Sequence, residues 1–133
     1  MQASNVGDRK LTELDFTRLM KFTAAGTMPQ LVDVLDEADI VAPQAMPADV
    51  VTMYSRFVIR DLRLQRSQTL VVCYPADADA SRGYVSVLSP AGMALVGQPT
   101  GAVVRWVGAG GRESVVQVER ILFQPEATGD YVT

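Results

Sequence analysis

There is no histidine in this chain of 133 residues and only one cysteine, Cys73. Without histidine there is no Ser-His or Cys-His nucleophile pair, and the usual general base is missing. A single cysteine excludes an internal disulfide and fits a reducing compartment. One cysteine and no histidine leave no ligand set for a structural zinc ion, so no metal or other cofactor is expected. Acid/base work through paired carboxylates is the chemistry that stays open. The chain also lacks the run of roughly 18 apolar residues that a transmembrane helix needs. Met1–Gly7 has neither the basic start nor the apolar stretch of a signal peptide. The expectation is a cytoplasmic bacterial protein with no membrane partner.

Basic charge is in short supply. Lys and Arg number 12 against 15 Asp and Glu, a net −3. Residues 1–48 carry four basic and seven acidic side chains, whereas residues 49–133 carry eight of each. That balance argues against free duplex DNA as a partner, because phosphate binding needs a basic patch. Solubility alone also accounts for it. Apolar residues are plentiful at 48%. They suffice for one compact domain with an appendage, or for two small units.

Helical spacing dominates the first third. Thr12 is placed to cap a helix, with Asp15 three residues on and Leu11 able to staple against Phe16. Phe16, Leu19, Met20 and Thr23 then follow a helical stripe. Ala25-Gly26-Thr27-Met28-Pro29 breaks it, and Pro29 opens a second helix. Leu31, Val34, Leu35, Ala38 and Val41 line that helix, which should end near Pro43. The pair reads as an antiparallel hairpin, followed by a two-proline linker at 42–48.

From residue 49 the pattern is that of strands. Runs at 50–59, 69–74, 84–88, 103–107 and 113–122 are rich in β-formers, and the last two flank Gly108-Ala109-Gly110-Gly111 as a hairpin. Between them Ser89 suits an N-cap, Pro90 the first helical position and Gly97 a left-handed exit. The expected architecture is α+β: a helical hairpin over 1–48, then an antiparallel sheet with one short helix over 49–133.

The unit Tyr84-Val85-Ser86-Val87-Leu88-Ser89-Pro90-Ala91-Gly92-Met93-Ala94-Leu95-Val96-Gly97, followed by Gly101 and Gly110-Gly111, resembles the C-terminal domain of the GreA/GreB transcript cleavage factors. Met46-Pro47-x-Asp49-Val50-Val51-Thr52-Met53-x-Ser55 and Gln124-Pro125-Glu126-Ala127-x-Gly129-Asp130-Tyr131 narrow the likeness to the regulators of nucleoside diphosphate kinase, a short branch of those factors. The resemblance covers roughly residues 10–131. It implies an FKBP-like C-terminal domain and RNA polymerase as partner, docked near the mouth of the secondary channel. Any nucleic acid would be met only within that complex.

Gre factors extend a long coiled coil whose acidic tip holds a magnesium ion over backtracked RNA, since carboxylates must place a hard cation beside the phosphate. Here residues 24–30 carry no carboxylate. Each helix of about 12–15 residues spans only about 18–23 Å. Transcript cleavage is therefore not expected, and the chain is expected not to be an enzyme. The remaining alternatives are a true cleavage factor and a direct regulator of nucleoside diphosphate kinase.

Two sets of site residues stand out. Leu88, Ser89, Pro90 and Gly92 occupy the turn that the resemblance implies for polymerase docking, and they also simply start a helix. Gly26 and Thr27 sit at the hairpin tip, and Asp33, Asp36 and Glu37 form an acidic helix face. That face either is solvated or steers docking to a basic surface. Arg56, Arg60, Arg63 and Arg66 concentrate positive charge near the first two strands. They would meet RNA or an acidic surface, or merely keep the sheet soluble. The aromatic residues Trp106, Phe57, Tyr74, Tyr84 and Phe123 read as core.

Overall fold

An N-terminal strand turns directly into a helix. In the computed structural model, which describes residues 9–24 and 29–131, β1 (Lys10–Thr12) leads into α1 (Glu13–Ala24). The Thr12 hydroxyl accepts the Asp15 amide at 3.0 Å, as the spacing predicts. It satisfies a donor that the first turn would otherwise orphan. Leu11 and Leu19 are buried, and Phe16 packs against the same cluster. In α2 (Pro29–Glu37) the buried residues are Leu31, Val34 and Leu35. Gly26 and Thr27 lie outside the described residues.

The second helix is shorter than its apolar stripe predicts. It ends at Glu37 rather than near Pro43, and β2 (Asp39–Val41) pairs in parallel with β1. The Asp39 amide donates to the Arg9 carbonyl at 2.9 Å. β-Branched Ile40 and Val41 suit a strand better than a helix, and the open edge of β1 supplies a partner. Nine residues make α2 about 14 Å long.

Five further strands form one curled, mostly antiparallel sheet. They are β3 (Arg56–Asp61), β4 (Arg66–Cys73), β5 (Tyr84–Ser86), β6 (Val103–Val107) and β7 (Glu113–Phe123), in the order β5-β4-β3-β7-β6. Only β4 and β5 run parallel. The run from Val50 predicts a strand six residues before β3 begins. Instead the Thr52 amide donates to the Ser55 hydroxyl at 2.9 Å, and Tyr54 takes the left-handed conformation at φ 66. The chain thus turns before it enters the sheet.

Alternation along the strands sends Phe57, Ile59, Leu70, Val72, Val116 and Val118 to one buried face. Leu19, Leu31, Val34 and Leu35 from the two helices join them in a single hydrophobic cluster. So do Leu95 and Val96, from the end of α3 (Pro90–Leu95). Helices and sheet share one core. No helix among the described residues is long and apolar enough to cross a membrane.

Candidate functional site

The turn from β5 into α3 is built as its residues predict. The Ser89 hydroxyl accepts the Gly92 amide at 3.1 Å and donates to the Ser86 carbonyl at 2.6 Å. Pro90 occupies the first turn, and Gly97 leaves the helix at φ 82. Gly92 lies where a Cβ would come within 2.0 Å of the Ser86 carbonyl oxygen. The helix therefore rests on strand backbone, with no side chain between them. At Gly97 a Cβ would stand 2.8 Å from the Lys10 carbonyl oxygen, and the Lys10 amide donates to the Gly97 carbonyl at 2.9 Å. Two glycines thus bring the sheet, α3 and the N-terminal strand into backbone contact.

Arg9 completes this junction. It is buried, and its Nη1 donates to the carbonyls of Met93 at 2.6 Å and Val96 at 2.9 Å. These carbonyls belong to the last turn of α3, where a cation also complements the negative helix end. Burial lowers the Arg9 pKa, and the Glu37 carboxylate partly offsets that. Because desolvation opposes the hydrogen bonds, Arg9→Met should cost only about 1 kcal/mol. A urea midpoint unchanged from the parent would show that the clamp contributes nothing.

Above Arg9 lies a groove of about 590 Å³ between α2, the β5–α3 turn and the end of β6. Leu88, Met93, Ala94, Val34 and Trp106 give it an apolar lining. Asp33 and Glu37 add carboxylates from α2, one helical turn apart. An apolar trough edged by acids suits a segment that carries a large apolar side chain beside a cation.

The structure thus gathers residues from both sequence-derived sets. Leu88 and Pro90 meet Asp33 and Glu37 across one groove. Ser89 and Gly92 lie behind it and fix the turn, whereas Asp36 is exposed outside it. Trp106 and Arg9 were not expected here. Trp106 reads as core from its strand alone, and Arg9 precedes the first recognisable pattern. No local signal marks either as a neighbour of α2.

A second polar cluster lies beneath α1. Asp15 is 2% exposed, and burial together with the Glu126 carboxylate pushes it up from 3.8 to about 6. The Tyr74 hydroxyl donates to its Oδ1 at 3.3 Å, and the Thr12 hydroxyl and the Met53 amide also favour the charged form, without offsetting the burial. Glu126 accepts the Thr52 hydroxyl at 2.6 Å, and Thr52 also contacts the buried Ser55 hydroxyl at 2.8 Å. Two carboxylates from distant parts of the chain face one small buried region.

Known proteins are similar to this chain in sequence and in fold. Residues 46–122 match the family described as transcription elongation factor, GreA/GreB, C-term. The regulator of nucleoside diphosphate kinase of Escherichia coli (strain K12) is 39% identical over 98 residues, covering 74% of this chain and 72% of that protein. Transcription elongation factor GreA of Rhodopseudomonas palustris (strain TIE-1) is 29% identical over 89 residues, which is 56% of its own length. A solved prokaryotic transcription elongation factor GreA/GreB from Nitrosomonas europaea superposes with a TM-score of 0.73 at 29% identity. That superposition covers 87% of this chain and 98% of the other.

Proposed function

The chain belongs to the GreA/GreB family of transcription elongation factors, and from that premise we propose that it is an RNA polymerase-binding regulator of transcription. In this reading the sheet-and-helix unit is FKBP-like and docks near the mouth of the secondary channel. The two N-terminal helices form a short antiparallel hairpin pointing toward the entrance. The protein acts by occupying that site and excluding longer factors, in the cytoplasm, without stimulating transcript cleavage.

The observation that carries this reading is the groove, where the Leu88–Pro90 turn and the acids Asp33 and Glu37 line one cleft. An apolar centre with acidic edges supports docking to a basic, partly apolar protein surface. The absence of carboxylates from residues 24–30 weighs against tip-bound magnesium chemistry.

Competition with a Gre factor for core RNA polymerase is the test. Displacement is expected, with no shortening of RNA in stalled complexes. Failure to bind and failure to compete together would refute the proposal. Trp106→Ala should weaken polymerase binding about tenfold, because a half-buried tryptophan lining an apolar groove is a typical anchor. Asp33→Asn with Glu37→Gln should mainly slow association and flatten its salt dependence. The name of the 39% identical relative supports a second reading, direct contact with nucleoside diphosphate kinase. Capture of the purified kinase by this chain in the absence of polymerase would favour it.

A further inference from the structure

The sheet has a second face, turned away from the shared core, and its side chains follow from the strand register. Arg56, Val58 and Arg60 alternate with the buried Phe57 and Ile59 on β3. Residues paired directly across strands point the same way. Arg120 pairs with Val58, while Gln117 pairs with both Arg60 and Val103. Arg105 is two residues beyond Val103, so it shares this face. Four arginines from three strands, β3, β7 and β6, therefore project from one surface.

Two aromatic rings join them. Phe123 pairs with Arg56 and is 45% exposed, although its strand position reads as core from sequence. Tyr84 pairs with Val71, the partner of Arg56 on β4, and the Arg82 guanidinium lies 4.7 Å from its ring centre. Between the cations, Val58 and Val71 are buried and Thr69 is exposed. The five strands span roughly 19 Å at about 4.8 Å per spacing.

Among the described residues, little neutralises this surface. Arg120 meets Glu119 at 3.3 Å in a solvent-exposed pair, and Arg82 lies near Asp79. Such exposed pairs are weak. Arg60 donates one hydrogen bond, to the Gln65 side chain at 2.7 Å, and a guanidinium has five N–H donors. The net charge of −3 conceals the asymmetry: acids edge the groove on one side of the protein and arginines stud the sheet on the other.

From this pattern of guanidiniums, the exposed Phe123 ring and the half-buried Tyr84 ring on one sheet face, we infer that the face binds single-stranded RNA. Guanidiniums neutralise phosphates, and flat rings stack on unpaired bases whatever their sequence. A duplex hides its base faces and leaves the rings without a role. The choice of RNA over single-stranded DNA rests on the transcription reading above, whereas the recognition chemistry does not.

The test is fluorescence anisotropy with a labelled oligouridylate of about 12 nucleotides, using the full chain without polymerase. Binding is expected to weaken from about 50 to 200 mM salt with a log–log slope near −2 to −3, as three or four phosphate contacts imply. Arg56→Gln with Arg60→Gln should lower affinity about tenfold, and Phe123→Ala about fivefold or more. Phe123→Leu keeps apolar bulk without a ring and should behave like Phe123→Ala if stacking is the cause. Asp33→Asn with Glu37→Gln, on the other side of the protein, should leave RNA binding unchanged.

No binding at low salt, or binding indifferent to the arginine and ring variants, overturns the inference. Tighter binding to oligothymidylate overturns the assignment to RNA. Displacement by polyglutamate with Phe123→Ala silent would assign the face to an acidic protein surface instead, and that also overturns it. Polymerase competition measured on the same sheet variants separates the two readings. If the proposed docking holds and this inference fails, competition survives while RNA binding is absent. If RNA binding stands and competition is lost even in the parent, the docking reading alone has failed.

Discussion

Gly92→Ala is expected to unfold this protein, or to cost more than about 4 kcal/mol where folding survives. Its new methyl would stand 2.0 Å from the Ser86 carbonyl oxygen and 2.8 Å from the Val87 Cα, against a practical limit of 3.0 Å. Both obstacles are backbone, so no rotamer change relieves them. The helix must lift by at least about 1 Å, and close-packed cores tolerate such shifts poorly. Leu95 and Val96 would leave their buried sites, and the Arg9 bonds to Met93 and Val96 would stretch. Ser89→Ala is the comparison. It removes the N-cap on the Gly92 amide without adding volume and should cost about 1 kcal/mol. Circular dichroism melts of the two variants check this directly. A Gly92→Ala protein melting within a few degrees of the parent would mean that α3 does not rest on β5 as described.

The second large effect runs the other way. Asp15→Asn should stabilise the protein by about 2 kcal/mol at pH 8 and erase most of its pH dependence between pH 5 and 8. Folding raises the Asp15 pKa from 3.8 to about 6, chiefly by burial and secondarily through Glu126. The folded state holds this proton more tightly than the unfolded chain does. Its contribution to stability is therefore complete below pH 3.8 and is lost as pH rises through about 6. Between pH 8 and 5 the gain is about 1.4 kcal/mol, the equivalent of one pKa unit. With no histidine in the chain, few other groups titrate in this window, so the slope reports mainly on Asp15. The groups around it include Glu126, Tyr74 and Thr12, with Arg18 near Tyr74. Glu126→Gln should shift the same curve partway toward lower pH. Urea denaturation at a series of pH values checks both, and an equal slope in Asp15→Asn and parent would defeat the account.

These two residues divide what is local in this protein from what is not. Sequence alone determined the cap at Thr12, the Ser89-Pro90 helix start, the exit at Gly97 and the β6–β7 hairpin. Each depends on groups within a few residues of one another, so local chemistry suffices. Leu19 of α1, Leu31, Val34 and Leu35 of α2 and the count of five strands in the main sheet follow in the same way from period, whereas Met20, on the predicted α1 stripe, is 45% exposed. The family was legible because Ser89, Pro90, Gly92 and Gly97 are demanded by that local geometry.

Tertiary structure alone decided the rest. Ile40 and Val41 continue a helical pattern on paper, yet they pair with β1 because its edge lies nearby in space. The Val50–Ser55 run reads as strand, but its Val51 is tied to Gln98 across the fold. Asp15 is an ordinary first-turn acid until Glu126, more than a hundred residues away, is folded against it. Arg9 and Trp106 join the groove, and four arginines share one sheet face, only through register and packing. The physical reason is common to all of them. Burial, pairing and like-charge proximity are properties of neighbours in space, and no period in the sequence encodes which distant segments become neighbours.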